Sequence, residues 1–392
     1  MESSGPLAGI HVLDLSRVLA APYATMALGE LGADVIKVER RPDGDETRQW
    51  GPPFVGGESA YFLGVNRNKR SIALDLRTPE DQELVRTLAV EWADVVVENF
   101  RPGTLERWNL GFESLRDANP RLVTATVRGY PEGDDRPGYD FIIQAGSGLM
   151  SITGEPEGQP AKVGVAVADI TTGLFLLSGI EAALYRRERT GRGDHVTVSL
   201  WESQMAWLTN VAQSYLVTGR EPKRYGNAHA QLAPYQTLRT FDGYIAVGVG
   251  NDRQFQSLCE ALGHPQWARD PRYCTNPDRV QHREPLQELL ESALQAKSTQ
   301  EWIDDLEARG VPASAVLTIP EALSDAERRG HHLTTSFHHE TVGDLAQIRL
   351  PWHFDEAAAL PQSPPPVIDQ HRQDILGLLQ EIRQHRKDVE HD

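Results

Sequence analysis

The feature that most constrains the fold is a strand–helix–strand unit near the start of the chain. Ile10-His11-Val12-Leu13-Asp14-Leu15 is a short run rich in branched apolar residues, which predicts a strand buried on both faces. After Ala20-Ala21-Pro22, the segment Tyr23–Leu31 reads as a helix with a proline in its first turn, closed by Gly32. Asp34–Glu39 is the second strand. Two such strands joined by one helix run parallel, and parallel strands with crossover helices define an α/β sheet.

The rhythm repeats. Ile72–Leu76 predicts a strand, Glu80–Trp92 a helix, Asp94–Glu98 a strand, Phe112–Ala118 a helix and Leu122–Val127 a strand. Asp169–Arg186 is a long helical run whose Gly173, Ser178, Gly179, Ala182 and Ala183 suit close packing. The turn Thr190–Asp194 leads to an alternating strand, His195–Leu200, and a helix from about Glu202. From Arg220 to Gly243 the chain reads as connections, marked by Pro222, Gly226, Pro234 and Gly243. Tyr244–Val249 is a strand, and Asp252–Leu262, Pro285–Leu294 and Thr299–Arg309 are helical, the last with Ser298 as N-cap. Beyond Glu321–Gly330 the chain reads as irregular, with a proline-rich connector at Pro361–Pro366, a final amphipathic helix at Asp369–Arg383 and a charged, fraying tail at Arg386–Asp392.

Bulk properties narrow the function. The 392 residues, 40% of them apolar, predict two cores. No stretch has the roughly 18 consecutive apolar residues of a membrane span, and Met1–Pro6 does not read as a secretory leader. A cytoplasmic protein is expected. The net charge of −17 argues against a nucleic-acid partner, because phosphate neutralisation needs lysine and arginine. Cys259 and Cys274 are too few for a disulfide framework. His331, His332, His338 and His339 have no carboxylate or cysteine partners at ligand spacing, so no metal site is expected. The turn Leu15–Pro22 lacks G-x-G-x-x-G, which disfavours a nicotinamide cofactor, and no phosphate-binding G-x-x-x-x-G-K-[ST] occurs.

Asp169 follows the apolar run Val163–Ala168 and opens a helix. A carboxylate there serves either as a cap for free helix N–H groups or as a nucleophile towards an activated carbonyl, and the two roles are compatible. Asn66–Ser71 is a polar, basic stretch that suits a solvated loop or a phosphate clamp. Glu98-Asn99-Phe100-Arg101-Pro102-Gly103 lies at the carboxyl end of a predicted strand, where open α/β sheets bind ligands. There Asn99 offers hydrogen bonds, Phe100 a stacking surface or plain packing, and Arg101 or Arg107 a cation for phosphate.

Together these segments resemble the family III CoA-transferases, the formyl-CoA transferase and carnitine CoA-transferase type, over nearly the whole chain. The resemblance is carried by Val12–Ala20, Gly32–Arg40, Gly44-Asp45, Asn66–Ile72, Glu98–Gly103, Gly138-Tyr139-Asp140, Gly146–Met150 and Val165–Leu174. It implies an α/β protein with a Rossmann-like large domain built from residues 1–215 and 330–392, a small α+β domain at 225–325, and an interlocked homodimer. It also implies that Asp169 takes the acyl group of an acyl-CoA as a mixed anhydride, and that CoA is a substrate with no permanently bound cofactor. Arg40, Leu74, Arg77, Asn99, Phe100, Arg101, Arg107 and Tyr139 would line the CoA site. Gly248 and Gly250 would belong to a loop over the active site. Oxalate-using members carry glutamine where this chain has Leu19 and are richer in glycine at Gly248–Asn251, which argues against oxalate. Arg224–His229, Pro234–Gln236 and Asp242–Gly248 are similar to the succinyl-CoA:glutarate branch. That similarity implies a dicarboxylate acceptor such as glutarate or itaconate, with Arg17, Asn227 and His229 for its far carboxylate or, for the last two, a structural turn. An α-methylacyl-CoA racemase-type isomerase on the same fold is the alternative enzyme, but Gly138-Tyr139-Asp140 lacks the histidine it uses as a base. A catalytically silent CoA-binding protein is the non-enzymatic alternative.

Overall fold

The computed structural model describes residues 5–390. Met1–Ser4 of the leading segment and the last two residues of the charged tail lie outside the described residues. The chain divides into two compact units, one of residues 5–149, 163–213 and 332–390, the other of residues 150–162 and 214–331.

The strands in chain order are β1 (His11–Asp14), β2 (Asp34–Arg40), β3 (Phe54–Val55), β4 (Glu58–Ser59), β5 (Lys69–Leu74), β6 (Val95–Glu98), β7 (Val123–Arg128), β8 (His195–Ser199), β9 (Tyr235–Arg239), β10 (Tyr244–Gly248), β11 (Ala313–Ala315), β12 (Thr334–His339) and β13 (Gly343–Ile348). In the first unit, six strands form one sheet in the order β5-β2-β1-β6-β7-β8. Every pairing in it is parallel, with Val12 facing Val35 on one side and Val95 on the other. The six strands in chain order stand as 3-2-1-4-5-6, a doubly wound sheet whose direction of winding reverses between β1 and β6. The branched apolar runs are buried on both faces. Val12, Val35, Val95 and Ala125 pack towards the helices Ala20–Glu30 and Val167–Thr190, whereas Leu13, Ile36, Ile72 and Val96 pack with Val85, Leu88, Ile375 and Leu379. The two helices of the first layer touch closely: a Cβ at Gly173 would stand 2.6 Å from the Ala20 carbonyl oxygen. The helix Val167–Thr190 is long and apolar enough to cross a membrane, yet 56% of its most apolar window is buried inside the protein. The chain's last segment lies along β5, where Asp369 accepts from the Ala73 amide at 2.7 Å and His371 Nδ1 accepts from the Ser71 amide at 3.1 Å.

The second unit holds the antiparallel sheet β11-β10-β9. Leu238, Ile245 and Val247 share a core with Phe255, Leu258 and Trp302. Ser298 caps its helix as expected, in a reciprocal arrangement with Glu301.

Three local readings are corrected and one, the helix over Glu80–Trp92, is refined. The segment expected to be irregular after Gly330 contains the hairpin β12–β13; of its inward positions only Phe337 and Leu345 are large and apolar, while the most buried, His339 and Gln347, are polar, so the apolar period is too short to read. Strand β9 lies in the segment read as connections, and its inward Gln236 hides the period in the same way. The helix predicted to run to Trp92 widens to i→i+5 bonding over Leu88–Trp92. Residues 150–162 cluster with the second unit. There the Arg224 guanidinium donates to the carbonyls of Glu155, Pro156 and Gly158 at 3.1, 3.3 and 2.8 Å.

Candidate active site

A doubly wound sheet places its ligand crevice at the carboxyl ends of the strands on either side of the reversal. In this chain those ends are the β1 exit, Leu15–Leu19, and the β6 exit, Asn99–Pro102. Two adjoining cavities open there. The larger, about 570 Å³, is lined among others by Arg17, Arg40, Leu74, Arg77, Phe100 and Arg101. The smaller, about 200 Å³, is lined among others by Arg17, Leu19, Asn99, Tyr139 and Asp169. Phe100 and Arg101 line both.

The large cavity mixes cations with acids, Glu39, Asp43, Glu46 and Asp75 lining it beside the arginines, around the apolar Leu74 and Phe100. The Phe100 ring meets Trp108 edge-on at 5.2 Å, and the Arg17 guanidinium stands 5.8 Å from the Phe100 centroid. The cations differ in how free they are. Arg77 is held in a fork by Asp75, with both bonds at 2.8 Å, and Arg40 reaches Asp43 at 3.5 Å. Arg101 has no side-chain partner among the described residues and is exposed. Arg107 turns to Thr104 Oγ1 at 3.0 Å and lines neither cavity. Asn99 spends its amide on the backbone of Arg17, accepting from its N–H at 3.0 Å and donating to its carbonyl at 2.7 Å. Arg17 itself pairs with Glu46.

In the small cavity, Asp169 is the third residue of the helix Val167–Thr190, which has no side-chain cap at its first boundary residue. The expected cap comes from elsewhere: Asp140 Oδ1 accepts from the Ala168 amide at 2.9 Å, and its other oxygen accepts from Gln144 Nε2 at 2.7 Å. The carboxylate of Asp169 therefore makes no hydrogen bond among the described residues. Burial pushes its carboxyl up to about 7, and the charge of Asp140 adds to the push. Burial and then the charges of Asp169, Asp140 and Asp45 push the hydroxyl of Tyr61 up to about 12. A half-buried, unpartnered carboxylate at a helix N-terminus has its lone pairs available to an incoming carbonyl, and the helix dipole favours its ionised form.

Beneath the cavities lies a row of buried charges. Lys69 Nζ stands 3.0 Å from Asp14, Lys37 Nζ 3.0 Å from Asp45, and Arg48 Nε 2.7 Å from Glu39. Burial lowers the Lys69 ammonium to about 8 against the pull of Asp14. For Lys37 burial is outweighed by Asp45, Asp14 and Glu39, which raise it.

Asn227, His229, Gly248 and Gly250 belong to the second unit. Asn227 sits in a turn; His229 donates its N–H to Tyr235 at 2.9 Å and accepts from the Gln231 amide at 3.0 Å. Gly248 ends β10, and the Gly250 amide donates to Gln254 at 2.8 Å. Trp108, Tyr61 and the buried pairs were not singled out from the sequence. A lysine or aspartate inside a buried strand, as at Asp14 and Lys37, is the signal that marks the latter.

An unpartnered carboxylate in a small cavity that adjoins a larger groove is an arrangement that suits group transfer between two ligands. The chain belongs to CoA-transferase family III, whose family model matches residues 7–372. It is 42% identical to the succinyl-CoA:glutarate CoA-transferase of Mus musculus, over 96% of this chain and 86% of that one. It is also 42% identical to the succinate–glutarate CoA-transferase of Agrobacterium fabrum (strain C58), over 96% of each. A succinyl-CoA:mesaconate CoA-transferase of Haloarcula hispanica is 39% identical over 95% of this chain and 96% of its own length. The crystal structure of a CAIB/BAIF family protein from Brucella suis superposes with a TM-score of 0.85 at 42% identity, covering 96% of this chain and all of that one. The chain is an acyl-CoA:carboxylate CoA-transferase.

Proposed function

We propose that this enzyme moves CoA from succinyl-CoA to a dicarboxylate of the glutarate or itaconate kind, with Asp169 as the nucleophile. The observation that carries the proposal is the unpartnered carboxylate of Asp169, facing a small cavity that adjoins the large groove. The Asp169 oxygen attacks the thioester carbonyl, the C–S bond breaks, and the CoA thiolate leaves an acyl–aspartyl anhydride. The anhydride keeps the acyl group activated while CoA stays in the groove. The thiolate then attacks the aspartyl carbonyl, freeing the donor acid and leaving an aspartyl-CoA thioester. The acceptor carboxylate attacks that carbonyl and expels the thiolate, giving an acceptor–aspartyl anhydride; attack on the aspartyl carbonyl of the first anhydride, with the donor acid leaving, reaches the same species. The thiolate finally attacks the acceptor carbonyl, releasing acceptor-CoA and the Asp169 carboxylate. Phe100 and Trp108 stack or pack against the planar base, and Arg40, Arg77 and Arg101 face the phosphates. Arg17 takes the far carboxylate of the acceptor by exchanging its bond to Glu46. Leu19 walls the acyl pocket with apolar surface, which suits a longer chain than oxalate. The names of the relatives support this choice of acids.

The same reading includes a homodimer in the cytoplasm. Leu174, Phe175 and Tyr185 on the helix Val167–Thr190 are 43%, 45% and 68% exposed, and Phe141 is 54% exposed. Apolar surface of that extent favours a protein partner. An isomerase would need a second base opposite Asp169, and Tyr139 is exposed at the position expected to supply it.

The test is to incubate the enzyme with succinyl-CoA, trap with hydroxylamine and map the hydroxamate by mass spectrometry. Label at Asp169 is the expected result, and turnover without label there overturns the proposal. A panel of glutarate, itaconate, mesaconate, oxalate and carnitine as acceptors then decides the substrate, with a dicarboxylate of four to six carbons expected to lead.

A further inference from the structure

The turn between the two cavities is held in a conformation that valine ordinarily avoids. Val18 has φ +71°, in the left-handed region, where a β-branched residue is a genuine outlier. Three side chains hold this turn: Asn99 from beyond β6, Lys37 from within β2 and Asp45 from the loop after β2. Asn99 closes on both backbone groups of Arg17, as described above. The Asp45 carboxylate accepts the Val18 N–H, each oxygen at 3.3 Å. Lys37 Nζ donates to the Ser16 carbonyl at 2.7 Å while it pairs with Asp45 at 3.0 Å. The Lys37 and Asp45 side chains are each 1% exposed. Burying an ion pair is costly unless its remaining donors and acceptors are satisfied; here the backbone of this turn supplies part of that, and Thr47 donates its N–H and hydroxyl to Asp45 Oδ1 at 3.0 and 2.8 Å. Strain persists in a fold only where the surroundings over-determine it. A glycine at position 18 would adopt the same φ without penalty, and the parallel sheet requires neither the strained valine nor the ion pair.

We infer that the buried Lys37–Asp45 pair is a positioning device for the transfer reaction. It holds the Arg17–Val18 turn left-handed, so that Arg17 lines the CoA groove while Val18 and Leu19 wall the cavity of Asp169. A turn shared by both walls fixes the distance between thioester and carboxylate. The inference rests on the transferase reading for its catalytic readout, and on CoA binding alone for its second readout.

The experiment compares Asp45→Asn with Asp45→Asn/Val18→Gly. Loss of the charged acceptor lets the valine relax out of the left-handed region. A misplacement of about 1 Å costs roughly 100-fold in rate, so kcat is expected to fall about that much, with a much smaller rise in KM for succinyl-CoA. Glycine makes the left-handed turn free, so the double variant is expected to recover kcat to within roughly tenfold of wild type. A merely structural role predicts loss in proportion to the unfolded fraction, with no recovery. Should Asp45→Asn not fold, Asn99→Ala with and without Val18→Gly is read the same way, since Asn99 leaves no buried charge behind. If wild type transfers no CoA, the functional reading fails, and the turn is judged by calorimetric affinity for free CoA. That affinity is expected to weaken roughly fivefold in Asp45→Asn and to return in the double variant. A double variant no better than the single one, in both readouts, overturns the inference.

Discussion

Asp140 occupies the capping site of the helix that carries Asp169, accepting the Ala168 N–H at 2.9 Å. The Asp169 carboxylate itself makes no hydrogen bond among the described residues, and burial, with the negative charge of Asp140 beside it, makes that carboxylate harder to ionise. One acid thus caps the helix and helps keep the other protonated.

Asp169→Asn should abolish transfer, with kcat reduced by roughly 10⁴-fold or more, because an amide cannot serve as the acyl-accepting nucleophile. The same substitution should stabilise the fold. Between the ordinary aspartate value and about 7, the folded chain holds a proton that the unfolded chain has released, so stability falls as pH rises through that window. The asparagine variant escapes this loss. Its melting temperature should exceed that of wild type by about 2–4 °C near pH 8 and match it near pH 4. Calorimetric scans at the two pH values check the sign.

The activity of the free enzyme should rise with pH through about 7, since the nucleophile must be ionised. Asp140→Asn removes the neighbouring charge and should move the acid limb of the kcat/KM profile to lower pH, by roughly half a unit to one unit. Burial, the larger cause, stays in place, so the limb should not return to the ordinary aspartate range.

In the coenzyme groove, the ring of Phe100 should matter more than the guanidinium of Arg77. Phe100→Ala removes the edge contact with Trp108 and a stacking surface, and should raise KM for succinyl-CoA about tenfold, equivalent to about 1.4 kcal/mol. Arg77 is already paired with Asp75 and its side chain is 79% exposed, so Arg77→Ala should change KM by less than roughly threefold. Initial-rate kinetics across donor concentrations measure both.

Arg224→Ala should loosen the segment 150–162 by removing three bonds to its carbonyls. The cost to local stability should be roughly 1–2 kcal/mol, since exposed bonds contribute modestly. Limited proteolysis should then cut within residues 155–159 sooner than in wild type, with the global melting temperature little changed.

The central sheet was legible because its strands are unbroken branched runs, as at Val95–Val97, and because Gly32 and Gly191 mark helix ends with positive φ. Strands β9, β12 and β13 were not legible, since Gln236, His339 and Gln347 point inward where an apolar residue would have shown the period. At the site, Asp169, Phe100 and Tyr139 stand out by sequence context, and the fold gathers all three with Arg17, Leu19 and Asn99 around one pair of cavities. The bond partners were out of reach. Nothing in the order of residues shows that Asn99 closes on Arg17, 82 positions earlier, or that Asp75 takes up Arg77.

Burial of the Asp169 carboxyl ties any step that needs its anion to pH: below about 7 the folded protein retains that proton, and a cationic or hydrogen-bonding group arriving beside it would favour its release.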